Sequence, residues 1–182
     1  HPFPGYPSGY ELTSEDVVYS LKRSSDPDFS AYSGEYKGMN FEAVDKYTVK
    51  ITVKEPLSEI LFFPKIANYG SGFIVCKKAI EELGDEWAKS NPIGTGPFML
   101  ASYEPTQKVV LVKNENYYRG EPILESVTVR YMPEISPREL GFRSGELHMI
   151  SGINQKEWLE KIKKYPDTVV KFFGPGDTEM IY

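Results

Sequence analysis

This chain is poor in reactive side chains. Its 182 residues include 1 cysteine and 2 histidines. A single cysteine cannot close an intrachain disulfide. Cys76 sits in the apolar run Phe73-Ile-Val-Cys76 and reads as a small buried hydrophobe. His1 and His148 lie far apart, with no Cys or His at ligand spacing, which argues against a conventional metal site. No Gly-x-Ser-x-Gly elbow and no Cys/His pair in a motif context is present, so nothing nominates a nucleophile. His148 reads as structural. No apolar run reaches the length of a membrane-spanning helix. Basic charge is scarce as well. Lys and Arg number 21 against 26 Asp and Glu, for a net charge of −5, which disfavours nucleic acid as a partner. Neither an initiator Met nor a signal peptide is seen, and the chain stops inside a strand-like run. Both ends read as cuts, so an excised piece of a longer protein is expected. No internal repeat or low-complexity tract occurs.

Aromatics, by contrast, are plentiful. They make up 14% of the chain, with 13 Tyr against 2 Trp, a surplus that suits stacking on a ligand as well as core packing. The first twelve residues carry three Pro and two Gly and read as an irregular arm. Thr13-Ser14-Glu15-Asp16 marks a helix start. Thr13 is placed to cap it, and the acids lie in the first turn. Glu15 and Asp16 could be a catalytic pair, but cap chemistry is the stronger reading. The helix should end near Ser24–Pro27. Phe41–Val44 and Tyr47–Val53 read as a hairpin turning at Asp45-Lys46. Pro56 is expected at the first position of the next helix.

Asn68–Gly72 is a polar loop before an expected buried strand at 73–76. Its glycines either bring backbone N–H groups to a ligand or serve a plain connection. Lys77–Leu83 and a segment from Asp85 read as short helices parted by Gly84. Gly94-Thr-Gly-Pro97 is a tight turn. It is no phosphate loop, because Pro97 and a strand follow in place of Lys-Ser/Thr and a helix. Phe98–Tyr103 and Lys108–Lys113 form a second hairpin, and Asn114–Gly120 is an aromatic loop. Ser126–Met132 reads as a strand and Ser136–Gly145 as a helix that Gly145 ends. Leu147–Ile150 reads as a short strand, with Ser151–Asn154 at its carboxyl end, where ligands sit in open α/β sheets. An amphipathic helix at 156–164 and strands at 168–173 and 178–182 complete the chain.

The order of these pieces resembles the extracellular solute-binding proteins of family 5, the peptide/nickel group. Leu12-Thr-Ser-Glu-Asp-Val-Val18 is similar to that family's Leu-Thr-Ala-Glu-Asp-Val-Val helix start. Val44-Asp-Lys-Tyr-Thr-Val49 is similar to its Val-Asp-x-Tyr-Thr-Val hairpin. Gly94-Thr-Gly-Pro-Phe98, Asn114-Glu-Asn-Tyr-Tyr-Arg-Gly120 and Arg143-Ser-Gly-Glu-Leu147 resemble three further motifs. Each is weak alone; five in order over nearly the whole chain are strong. The departures are Glu115 for Pro, Tyr118 for Trp and His148 where Asp is common.

The resemblance implies a mixed α/β fold, part of the first lobe of a type II periplasmic-binding-protein architecture. Residues 1–92 would be an accessory subdomain. Residues 93–182 would be part of the α/β sheet, ending at the hinge strand. It also implies a receptor of an ATP-driven importer, not an enzyme, working outside the cytoplasmic membrane, in the periplasm or tethered by a lipid. Its partners would be a small-molecule or peptide ligand, the transporter's permease subunits and a second lobe of the same chain, with no cofactor. Oligopeptide is the expected ligand. An oligosaccharide or metal chelate is the alternative, and a hydrolytic enzyme domain the alternative from another class. Loop placement nominates Tyr69, Ser71, Gly72, Thr95, Gly96, Ser151, Gly152 and Asn154 as ligand-facing residues.

Overall fold

The computed structural model describes residues 1–67 and 72–171. Helices and strands are mixed, as expected. The helices are α1 (Ser14–Ser25), α2 (Glu59–Ile66), α3 (Lys77–Leu83), α4 (Asp85–Ser90), α5 (Ile135–Arg143) and α6 (Lys156–Ile162). The strands are β1 (Met39–Asp45), β2 (Thr48–Val53), β3 (Phe98–Glu104), β4 (Lys108–Lys113) and β5 (Ser126–Arg130). β1 and β2 pair as an antiparallel hairpin, and β3, β4 and β5 form a three-stranded sheet in that order. The chain divides into two compact units. Unit 1 holds His1–Tyr103 and Val109–Thr128; unit 2 holds Glu104–Lys108 and the chain from Val129 on.

Unit 1 is built on α1. The helix starts where the cap residues place it and ends at Ser25, with Asp26 in extended conformation. Its apolar face, Val18 and Leu21, packs on Tyr36 and Phe41 from the β1 side, with Val49 and Ile51 closing the cluster. Tyr36, only 2% exposed, fills the centre. The other side of α1 is polar and still buried. Asp16 and Ser20, four residues apart and so on one face, are each 2% exposed. The Asp16 carboxylate accepts from the Thr13 N–H at 2.9 Å and the Thr13 hydroxyl at 3.1 Å. It also accepts from the Lys77 N–H, in the first turn of α3, at 3.0 Å. The Ser20 hydroxyl donates to the Asp16 carbonyl and accepts from the Val75 N–H at 2.9 Å. Ser14 fixes the third side: its N–H reaches the Lys46 carbonyl, and its hydroxyl the Asp45 carbonyl, in the β1–β2 turn.

Residues 73–76 form no strand. The Val75 amide, and that of Lys77 just beyond, bond to side chains of α1 instead of a neighbouring strand. Cys76 is half-buried at the cap of α3, and burial pushes its thiol pKa up. The second helix begins at Glu59 after Ser58, so Pro56 lies outside it. Pro64 falls inside instead. It withholds an N–H from the Ile60 carbonyl, on a residue that is 84% exposed. α2 buries none of its residues.

Unit 2 is held by α5 and α6. Ile150, Trp158, Leu159 and Ile162 form its buried cluster, with Ile135, Phe142, Leu147 and Tyr165 packed around it. Gly141 is buried where α5 meets Leu147. A Cβ there would lie 3.0 Å from Leu147 Cδ1, so only glycine fits without a shift. Gly145 stops α5 in the left-handed region, φ +79°, as the sequence indicates. The expected strand at 147–150 is absent; the Leu147 N–H turns back to the Gly141 carbonyl and Ile150 serves the core. Of the expected strand 168–173, residues 168–171 are irregular. Its last two residues and the run 178–182 lie outside the described residues.

Glu139 is the polar hinge pin of this unit. Its carboxylate accepts from the Tyr165 hydroxyl at 2.7 Å and Trp158 Nε1 at 3.2 Å, and it pairs with Lys161. The bond from Lys161, then that from Tyr165, holds the Glu139 pKa below its ordinary value of 4.5.

Two outcomes follow for stability. Asp16→Ala strands the Lys77 and Thr13 amides and should cost about 3 kcal/mol in urea unfolding followed by circular dichroism; an unchanged midpoint would refute the shared-cap reading. Because the folded-state pKa of Glu139 is depressed, its contribution is present above pH 4.5 and is lost as pH falls through the lower folded value. Wild type should therefore exceed Glu139→Gln in stability at pH 7, with the gap closing on acidification. A gap that stays constant down to pH 2 would remove Glu139 from this role.

Candidate functional site

The Gly94–Pro97 turn in unit 1 is fastened from two directions. The Asn114 side-chain amide donates to the Gly96 carbonyl at 3.1 Å, and the Asn114 N–H donates to the Pro97 carbonyl at 2.8 Å. From the amino-terminal arm, the His1 ring sits 3.0 Å from the same Gly96 carbonyl through Nε2, while Nδ1 accepts from the Gly94 N–H at 3.3 Å. That pairing assigns the neutral tautomer with its proton on Nε2. Neither Gly94 nor Gly96 has a positive φ, and a Cβ at either would meet only ordinary contacts. The chain's own conformation does not demand glycine here. What the glycines provide is bare backbone beside Thr95, whose side chain is exposed.

Gly72 is half-buried ahead of the segment that Ser20 and Asp16 tie down. Tyr69 and Ser71 lie outside the described residues. Two shallow depressions open on unit 1. One is lined by Tyr10, Ser14, Asp45 and Lys46 among others, and the second by Arg23, Phe29 and Phe73 among others. Neither is lined by a nominated residue among those described. At the edge of the first, Glu11 binds Lys46 and the Tyr47 hydroxyl, each at 2.6 Å, and Lys46 in turn lowers the Glu11 pKa.

In unit 2 the loop Ser151–Asn154 links the buried Ile150 to α6. Ser151 and Gly152 are half-buried and Asn154 is exposed. The Ser151 hydroxyl receives a hydrogen bond from Arg138 Nη1, on α5. Arg138 is a residue that sequence reasoning missed. It read as part of a helix start, and its partner lies 13 residues on, beyond any local pattern. His148, expected to be structural on a strand, is instead exposed in an irregular stretch. The nominated residues thus fall into two groups, Gly72, Thr95 and Gly96 in unit 1 and Ser151, Gly152 and Asn154 in unit 2.

Among the described residues, no group of three or more His, Cys, Asp or Glu is placed to hold a metal ion. None of the described helices is long and apolar enough to cross a membrane.

The described residues form a mixed α/β assembly whose nominated loops carry glycine, serine and threonine. The family description "bacterial extracellular solute-binding proteins, family 5 Middle" matches residues 6–182, and the chain belongs to that family. The periplasmic oligopeptide-binding protein OppA of Escherichia coli (strain K12) is 27% identical over 186 residues, covering 88% of this chain and 33% of the relative. The glutathione-binding protein GsiB of Escherichia coli O1:K1 / APEC is 31% identical, covering 87% and 31%. Among solved structures, the binding protein MoaA from A. tumefacien R10, in complex with mannopinic acid, aligns with a TM-score of 0.84 and 39% identity, covering 90% of this chain and 33% of that one. The periplasmic binding protein DppA from Helicobacter pylori, in complex with the peptide STSA, aligns with a TM-score of 0.75 and 30% identity, covering 92% and 35%. The fold is therefore that of part of a type II periplasmic binding protein. The chain spans about a third of the length of the curated relatives it matches.

Asn114→Asp keeps the acceptor for Asn116 but removes the donor to Gly96. It should speed amide exchange at residues 94–96 by about fivefold, on the basis of roughly 1 kcal/mol for a lost hydrogen bond, and leave α5 and α6 unaffected. Hydrogen–deuterium exchange by mass spectrometry reads this, and unaltered protection at 94–96 would show that Asn114 does not hold the turn.

Proposed function

We propose that this chain is part of one lobe of a two-lobed receptor that captures oligopeptides and delivers them to the permease subunits of an ATP-driven importer. Family membership over residues 6–182 is the observation that carries the reading. It is supported by relatives named for binding oligopeptides and D,D-dipeptides, and by the similarity to a receptor holding the peptide STSA. Relatives named as binding proteins favour a role without catalysis, and their periplasmic names favour a place outside the cytoplasmic membrane, there free or lipid-tethered. In this reading residues 1–92 are the accessory subdomain and 93–182 the sheet part leading to the hinge. Tyr69, Ser71, Gly72, Thr95 and Gly96 are proposed as ligand-facing, and so are Ser151, Gly152 and Asn154. Bare backbone and hydroxyls suit a peptide held through its main chain.

The mechanism is closure. A ligand that touches both lobes binds the closed state better than the open one and so shifts the equilibrium toward it. One lobe alone offers part of the contacts and no closed state to select. Exposed apolar side chains fit a piece that packs against more protein: Ile60, Ile123 and Leu140 are 84%, 97% and 62% exposed. A second reading rests on the 39% identity to the receptor holding mannopinic acid, which favours a small organic acid as cargo.

Isothermal titration of the complete receptor with a set of tri- to pentapeptides should give micromolar or tighter binding, and the isolated 182-residue chain should give none. Micromolar binding by the isolated chain would overturn the two-lobe mechanism. Binding of mannopinic acid but of no peptide by the complete receptor would replace the first ligand class with the second.

A further inference from the structure

We propose that Arg138 and Ser151 form a carboxylate-binding subsite, so that the cargo of this receptor carries a carboxylate held by the Arg138 guanidinium. The inference rests on the ligand-facing role proposed above for the Ser151–Asn154 loop, and it names the chemistry of that loop's ligand.

The argument begins with charge. Arg138 is half-buried on α5, and its Nε has no solvent exposure and no hydrogen-bond partner. Among the described residues no carboxylate pairs with it. The next residue, Glu139, is not available, since Lys161, Tyr165 and Trp158 already occupy it. Glu146 is taken by Arg130. A guanidinium drawn partly out of water without a counter-anion is unfavourable, and an anion that docks on it removes the cost.

Geometry adds direction. Arg138 Nη1 is spent on the Ser151 hydroxyl, which fixes the plane of the guanidinium. Among the described residues Nη2 makes no hydrogen bond, and it completes the fork that matches a carboxylate. Ser151 accepts from Arg138, so its own proton is left to donate. The amides of residues 151–155 make no backbone hydrogen bond among the described residues. Guanidinium, hydroxyl and loop amides are all donors, gathered around residues 138 and 151–152. A guanidinium beside a free hydroxyl proton and unspent amides favours an anion, and its planar fork favours a carboxylate over a spherical ion such as chloride.

The test uses the complete receptor and two matched pairs of probes: trialanine with its carboxyl-terminal amide, and gluconate with gluconamide. Calorimetry should show the acid of a pair binding about tenfold or more tighter than its amide, the size of one charge-assisted hydrogen-bonded pair. Arg138→Gln should abolish that preference, so that acid and amide bind alike. Arg138→Lys, which keeps the charge and loses the fork, should restore only part of it. If Arg138→Gln does not fold by circular dichroism, Ser151→Ala serves instead, and the acid preference should fall several-fold. Trialanine and its amide binding equally well would overturn the subsite and leave the peptide receptor standing. An Arg138-dependent preference for gluconate, with neither peptide bound, would support the subsite and remove the oligopeptide reading. An acid preference that survives Arg138→Gln, or no binding of either acid, would overturn the subsite.

Discussion

One buried carboxylate organises unit 1. Asp16 is almost wholly removed from water, an acidic side chain in the first turn of α1. Such a group is tolerated only when donors surround it. Here three do: the amide and hydroxyl of Thr13, and the amide of Lys77. Two of these are backbone donors at the starts of different helices, where the peptide dipoles favour negative charge. One side chain therefore caps α1 and pins α3 to it. Ser20, one turn further along the same face, ties down Val75. The segment 72–76, and with it Gly72, takes its path from these bonds and from no sheet.

That arrangement shows what local pattern reveals and what it hides. The Thr-Ser-Glu-Asp start, the stop at Asp26, Gly84 and Gly145, and the two hairpins could all be read from the sequence, because each is settled within a few residues. The β1–β2 turn falls at Lys46-Tyr47, one residue later than expected, since a bulge between Ala43 and Asp45 absorbs a residue. The strands expected at 73–76 and 147–150 failed for a common reason. Short apolar runs signal burial, and burial does not specify a ladder partner. Residues 75 and 77 bond to side chains of α1, and Leu147 bonds to the end of α5. Pro56 is expected at the first helical position, but the helix starts at Glu59, after Ser58 in extended conformation, and it is Pro64 that lies inside it.

The nominated loops were legible in part. Gly96 and Thr95 stand out in any reading, but the reason differs from the expected one. The turn uses no left-handed backbone, so its glycines are not there for conformation. It is rigid because His1 and Asn114 hold its carbonyls and amide, partners distant in sequence that no spacing rule would connect. A bare, pre-fixed stretch of backbone loses little entropy on binding, which is what an extended ligand needs from its receptor.

Arg138 and Glu139 carry the same lesson to a finer scale. They are neighbours on one turn of α5, with opposite charge, and from sequence they read only as part of a helix start. Adjacent helical residues point about 100° apart, so they cannot serve the same surroundings. Glu139 faces α6 and is consumed by the fold, with Lys161, Tyr165 and Trp158 all bound to it. Arg138 faces the Ser151 loop and keeps donors that no other described residue uses. Had Glu139 paired with Arg138, α6 would lose its anchor and the loop its charge. The division of labour between two consecutive residues is thus what leaves a cation at a loop with a fixed frame behind it, and that is the physical basis for placing a ligand's carboxylate there.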